Sequence, residues 1–277
     1  MSAPSSSLAV SQEQSPGPSF GPVALRAFGQ QVIDLEHDFE GGDRPALVTA
    51  LLATCSVGDP AGSWHSHWWQ VPVGTRIAAL LDLMLMSSPG RPASSLTVSL
   101  RCEQPDCAAR FEIELPAQAW AQADAANTAV SVARDGCEPL LLRRPIGSDL
   151  RDCRSFALQA AAPAQIAQTL LQRLCLAGTL QPEDAEPAAL ALAEADPLVA
   201  FAVHCPCPEC GIAADRAIDL EEQALQGLAV RQRTLTREVH RLASRYGWTE
   251  REIFEVPAAR RGRYLEAIAA EAQDDRR

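Results

Sequence analysis

The chain has 277 residues, 47% of them hydrophobic, which is ample material for a core and excludes a disordered polypeptide. Arginine supplies all 24 basic residues against 35 acidic ones, and a formal net charge of -11 argues against broad binding to nucleic acid or anionic membrane. Aromatic residues make up only 5%, so the core is expected to be built mostly from Leu, Ala and Val.

Residues 1–22 (MSAPSSSLAVSQEQSPGPSFGP) carry neither a basic n-region nor an apolar h-region, and their Ser/Pro/Gly content reads as a mobile leader. The apolar run 77–86 is broken by Asp82 and is too short to cross a bilayer. A cytoplasmic location follows as the expectation, and nine cysteines there suggest metal binding or burial before disulfides.

Residues 23–94 read as an N-terminal helical part. Helical spacing marks 44–55 (RPALVTALLATC) and 73–88, with SPGRP (88–92) stopping the second helix. Between them, 58–72 reads as a loop whose tryptophans pack it against the body. His65 and His67 have the spacing of a strand-face ligand pair, but no third ligand lies nearby. Residues 95–116 form two alternating strands joined by C-EQPD-C, with Phe111, Ile113 and Leu115 on one face. Residues 117–197 read as an insert: a hairpin over 128–144 turning at Asp135-Gly136, a helix from Ser148, and an amphipathic helix over 163–178 closed by Gly178. An acidic loop and short helix follow. Cys55, Cys137, Cys153 and Cys175 lie singly in apolar contexts and are expected in the core.

At 198–220 the strand–thiol–strand pattern returns as FAVHC-PCPE-CGIAADRAIDL, an internal repeat of VSLRC-EQPD-CAARFEIEL. Two hairpins that each offer a thiol pair from their turn can surround one tetrahedral Zn2+, as zinc ribbons do. The first pair is Cys102 and Cys107. For the second, the C-x4-C alignment pairs Cys205 with Cys210, whereas the C-P-E-C-G turn pairs Cys207 with Cys210. A two-residue spacer followed by glycine is the better knuckle, which favours Cys207, and Gly211 then supplies the left-handed residue after the last thiol. Ala108 stands where the first knuckle would prefer glycine. Four thiolates leave the metal no water position, so the site is expected to be structural. The fold class expected is therefore α+β, mainly helical, with a discontinuous two-hairpin zinc-ribbon-like module and a C-terminal three-helix segment.

That C-terminal segment is 221–272. Leu225, Leu228, Leu235, Val239, Leu242 and Tyr246 form an apolar stripe interrupted by Gln232. Gly247 ends the helix, Thr249 and Glu252 form a capping box, and Pro257 opens a third helix. Between 231 and 264 there are nine arginines and four acids. Trp248, Arg260, Arg261, Arg263 and Tyr264 are candidates for a partner-binding surface. A zinc-ribbon regulator that touches nucleic acid through these basic helices is the alternative, opposed by the acidic remainder of the chain. No catalytic motif is present, and an enzyme is not expected.

The string EVHRLASRYGWTEREIFEVPAARRGRYLEAI (238–268) resembles the C-terminal signature of the T-even-type baseplate hub assembly chaperone family, from contractile-tailed phages and phage-derived contractile injection systems. VGTRIAALL (73–81), the first cysteine pair, RRPIGSDL (143–150), LLQRLCLAG (170–178) and ADPLVAFAVHCPCPECG (195–211) agree with it in order. Thr75 stands where Asp is usual in that family, and Ile146 where Thr is usual. The resemblance spans Val73 to Ile268. It implies a non-enzymatic protein that assembles or forms part of a contractile-tail baseplate. Its partners would then be hub, spike or other baseplate proteins, met in the cytoplasm during assembly, with no small-molecule substrate.

Overall fold

The N-terminal helix α1 (Arg44–Cys55) starts where Asp43 accepts the Ala46 N–H at 3.2 Å and Pro45 occupies a first-turn position that needs no donor. It buries Val48, Leu51, Leu52 and Cys55. The computed structural model describes residues 23–58, 63–88, 94–120, 129–134, 136, 138–159 and 162–274. The leader, the stop signal at 89–92, Asp135 and Cys137 lie outside these residues.

The stretch expected to be a loop contains a helix, α2 (Trp64–Gln70), capped by the Ser63 hydroxyl, which accepts from Ser66 N–H. Helical spacing brings Trp68 and Trp69 into the interior. Residues two apart on a helix point to opposite sides. His65 accordingly meets Trp69, whereas His67 lies between Trp64 and Trp68, and the two share no ligand position. Helix α3 (Val73–Met86) follows, then the antiparallel strands β1 (Ser95–Arg101) and β2 (Arg110–Pro116).

The insert holds β3 (Val130–Val132), β4 (Leu140–Leu142), α4 (Gly147–Leu158), α5 (Pro163–Leu174), β5 (Cys175–Ala177) and α6 (Ala185–Ala195). The expected hairpin is present as β3–β4. The expected extent of the second helix needs correction. It ends at Leu174, and Cys175–Ala177 leaves it to pair with β4, making a three-stranded sheet in the order β3-β4-β5. Gly178, at φ +90°, turns the chain out of the strand and does not cap the helix. Cys55 is fully buried, whereas Cys153 and Cys175 are only half-buried.

Strands β6 (Ala202–Pro206) and β7 (Ala213–Ala217) form the second thiol hairpin. It runs directly into the 27-residue α7 (Leu220–Tyr246), followed by α8 (Glu250–Glu255) and α9 (Ala258–Asp274). Asp219 caps α7 by accepting the Glu222 N–H at 3.0 Å. Arg44 clamps this start, holding Asp219 and the buried Glu221. Leu225, Leu228, Leu235 and Leu242 bury along α7, which packs on α3. Gln232, the polar break in that stripe, donates to the carbonyls of Asp34, Leu35 and His37 at 3.3, 3.1 and 2.9 Å. The fold is mainly helical α+β, with a β module assembled from two segments distant in sequence. No helix among the described residues is long and apolar enough to cross a membrane.

Three separated segments meet in a buried polar junction behind the hairpins. Val73 N–H donates to Pro145 carbonyl at 2.9 Å, and Gly147 N–H to Val71 carbonyl at 3.2 Å. Asp196 accepts Gly74 N–H at 3.0 Å and pairs with buried Arg144 at 3.0 Å. Arg76 lies beneath Gly147 and donates to the carbonyls of Trp68 and Pro45 and to Thr49 Oγ1. A Cβ at Gly74 would fall 1.6 Å from Asp196 Oδ1, and one at Gly147 would fall 1.5 Å from Arg76 Nη1. Both positions therefore require glycine.

At the N-terminal side, buried Asp34 accepts N–H groups from Gly29, Gln30 and Gln31 at 2.7, 3.0 and 3.1 Å, and takes both ends of the Arg26 guanidinium. Replacing Asp34 with Ala strands these donors. Urea unfolding of Asp34→Ala is expected to show a loss of about 3–5 kcal/mol, the scale for breaking a buried pair.

Candidate metal centre

Each thiol turn is shaped by its own backbone. In the first, Cys102 N–H donates to Ala109 carbonyl at 2.8 Å, while Cys107 and Ala108 N–H groups return to Gln104 carbonyl, each at 3.0 Å. In the second, Cys207 N–H donates to Ile212 carbonyl at 3.0 Å and Gly211 N–H to Cys207 carbonyl at 2.9 Å. The residue after the last thiol is left-handed in both: Gly211 at φ 73° and Ala108 at φ 49°. Ala108 is the one non-glycine residue with positive φ among the described residues. The turn geometry thus overrides a side chain that disfavours it.

The two turns place the sulfurs of Cys102, Cys107, Cys207 and Cys210 within 4.8 Å of one another. Cys102 and Cys210 Sγ are 3.7 Å apart, and Cys107 and Cys207 Sγ 3.8 Å. Zn–S bonds of about 2.3 Å in a tetrahedron require sulfurs about 3.8 Å apart, so these thiols fit a tetrathiolate metal ion. A disulfide would need sulfurs about 2.05 Å apart, which they are not. The question between Cys205 and Cys207 is answered by where β6 ends: the strand stops at Pro206, and Cys207 lies beyond it in the turn that carries Cys210. Cys207 is 1% exposed and belongs to the cluster. Cys205 still lies in β6, opposite Ala214, outside the ligand set. His204 is exposed and bonds across the ladder to Asp215 at 2.8 Å, away from the sulfurs.

Four thiolates around a divalent ion leave a net charge of -2, which the surrounding donors offset. Cys207 receives the N–H groups of Cys210 and Glu209, and its pKa is pushed down to about 7. Cys107 receives Ala109 N–H, but burial and the neighbouring thiols outweigh that donor and push it up to about 11. In a metal-free site the thiols therefore compete for protons, so metal uptake releases protons and weakens as pH falls. Arg216, missed in the sequence, completes this shell. It occupies an inward position on β7 and is 5% exposed. Burial works against its charge, yet contacts with the Cys205 and Cys102 thiols hold its pKa above the ordinary arginine value. Its guanidinium crosses to the first hairpin, donating to Arg101 carbonyl at 3.1 Å and lying over the Phe111 ring. An arginine at an inward strand position directly after a thiol turn was the available signal.

The residues singled out in the C-terminal helices divide into two groups. Trp248 stacks on Tyr246 at 4.8 Å, and Tyr264 packs edge-on to both. Arg260 donates to the Tyr264 hydroxyl at 3.2 Å, and Arg260 and Arg263 are exposed. Arg261, expected on the same surface, is instead buried. It is 3% exposed and donates to the carbonyls of Val256, Ile253 and Gly29, tying α9 to α8 and to the N-terminal part.

No protein-family model, curated protein or solved structure matches the chain.

Three outcomes test this centre. Cys207→Ser is expected to abolish stoichiometric metal, whereas Cys205→Ser retains it, by elemental analysis. Ala108→Gly relieves a left-handed alanine and is expected to add about 1 kcal/mol of stability in urea unfolding. Arg216→Ala is expected to weaken metal affinity roughly 10–100-fold in chelator competition, with all four ligands intact.

Proposed function

We propose that this chain is a non-enzymatic structural or assembly protein of a contractile-tail or injection-system baseplate, acting through protein–protein contacts on a zinc-fastened scaffold. The observation that carries this reading is the Tyr246–Trp248–Tyr264 cluster flanked by exposed Arg260 and Arg263. Aromatic and arginine side chains are the residue types that dominate protein interfaces. Four thiolates give the metal no open position for a substrate, which favours a fastening role over chemistry. The segments that carry the family resemblance also coincide with structural joints: Val73–Arg76, Arg143–Asp149 and Asp196 at the buried junction, and the thiol turns at the metal centre.

The test is co-purification with hub, spike, tube and sheath proteins expressed together with the chain. Arg260→Glu/Arg263→Glu is expected to abolish capture while leaving the unfolding midpoint unchanged, and Trp248→Ala to abolish it at a cost of about 1 kcal/mol from the lost aromatic packing. Arg261→Glu is expected to lose about 3–5 kcal/mol of stability, because it buries a charge against carbonyl oxygens. Undiminished capture by the first two variants would remove the aromatic–arginine surface from the proposal.

A further inference from the structure

Two exposed helix faces of opposite charge carry no ion pair among the described residues and lie outside the residues of the proposed partner surface. On α7, Arg233, Arg237 and Arg241 follow one another at four-residue intervals on the side opposite buried Leu228, Leu235 and Leu242. None of the three pairs with a carboxylate among the described residues; Arg241 reaches only Leu265 carbonyl, at 3.5 Å. Val230, 54% exposed, stands at the start of this ridge. On α6, Glu186, Leu190 and Glu194 form a second four-residue ridge opposite buried Ala188. Neither glutamate pairs with a cation among the described residues, and Leu190 is 61% exposed. Residues 179–203 contain no basic residue at all.

The two ridges match in length. Glu186 to Glu194 and Arg233 to Arg241 each span eight residues, about 12 Å along a helix. Rows at i±4 are the ridges that interdigitate when helices pack. In an antiparallel arrangement Glu186 meets Arg241 and Glu194 meets Arg233, and the aliphatic stem of Arg237 covers Leu190.

We propose that two copies of this chain associate through these faces, α6 of one copy docking on α7 of the other. Each copy carries one ridge of each sign, so the contact is reciprocal, and the proposal is the two-fold arrangement that makes it twice and closes a dimer. Two short helix contacts bury little area, so the association is weak, on the order of micromolar, and salt-sensitive. The ridge borders the Arg260–Tyr264 cluster only at Arg241, and the variants that test it leave Trp248, Arg260, Arg263 and Tyr264 intact, so this pairing stands or falls independently of baseplate contacts.

The test is sedimentation equilibrium on the full, metal-loaded chain. Wild-type protein is expected to dimerise reversibly at low ionic strength and to dissociate toward 1 M salt, where screening acts within about 3 Å. Arg233→Glu/Arg241→Glu alone and Glu186→Arg/Glu194→Arg alone are each expected to weaken association roughly tenfold or more. An equimolar mixture of the two variants is expected to dimerise again, since each α6 then faces an α7 of opposite sign. A wild-type chain that stays monomeric at low salt, a dimer indifferent to both reversals, or a mixture that fails to recover overturns the proposal.

Discussion

Closing a tetrathiolate between two turns 100 and 108 residues apart is the constraint on which the rest of this architecture depends. A two-stranded hairpin with strands of only five or seven residues is marginal in water. Joining the two hairpins costs about 4 kcal/mol of loop-closure entropy, by the logarithmic dependence on loop length. Structural zinc supplies on the order of 10–16 kcal/mol, which exceeds that cost and leaves a margin for ordering the turns. The metal acts where the hairpins have little apolar core of their own: β1 and β2 reach the core on one side through Val98 and Leu115, β6 only through Val203, and β7 through none of its residues.

From that fastening the order propagates in both directions along the chain. Strand β7 ends at Ala217; Ile218 follows, its N–H donating to the Phe201 carbonyl, and α7 begins two residues later at Leu220. Arg44 on α1 grips the start of α7, and α7 lies along α3. The buried junction of Gly74, Arg144 and Asp196 holds the insert against α3 on the other side. Arg216 couples the two systems most directly, because one guanidinium touches the thiol cluster, a carbonyl of the opposite hairpin and an aromatic ring.

Much of this was legible in the sequence where local rules decide the outcome. The paired thiol turns, α1, and the C-terminal break at Gly247 with its Thr249–Glu252 capping box follow from spacing and short-range hydrogen bonds. Other features depend on distant atoms. The serine cap and tryptophan spacing that make α2 a helix were masked by a composition that suggests a loop. Strand β5 continues the apolar spacing of α5 and becomes a strand only because β4 offers it an edge. Arg261 reads like its exposed neighbours, and only the Gly29 carbonyl, 232 residues away, makes it part of the interior. Gln232 likewise looked like a flaw in an apolar stripe until its carbonyl partners near Asp34 gave it a role.

The central claim is that one metal ion holds four cysteine sulfurs from two distant turns. X-ray absorption on the purified chain, with elemental analysis, measures it most directly. One zinc per chain with four sulfur neighbours at about 2.3 Å is the predicted result. Less than stoichiometric metal, or a first shell containing nitrogen or oxygen, would contradict it.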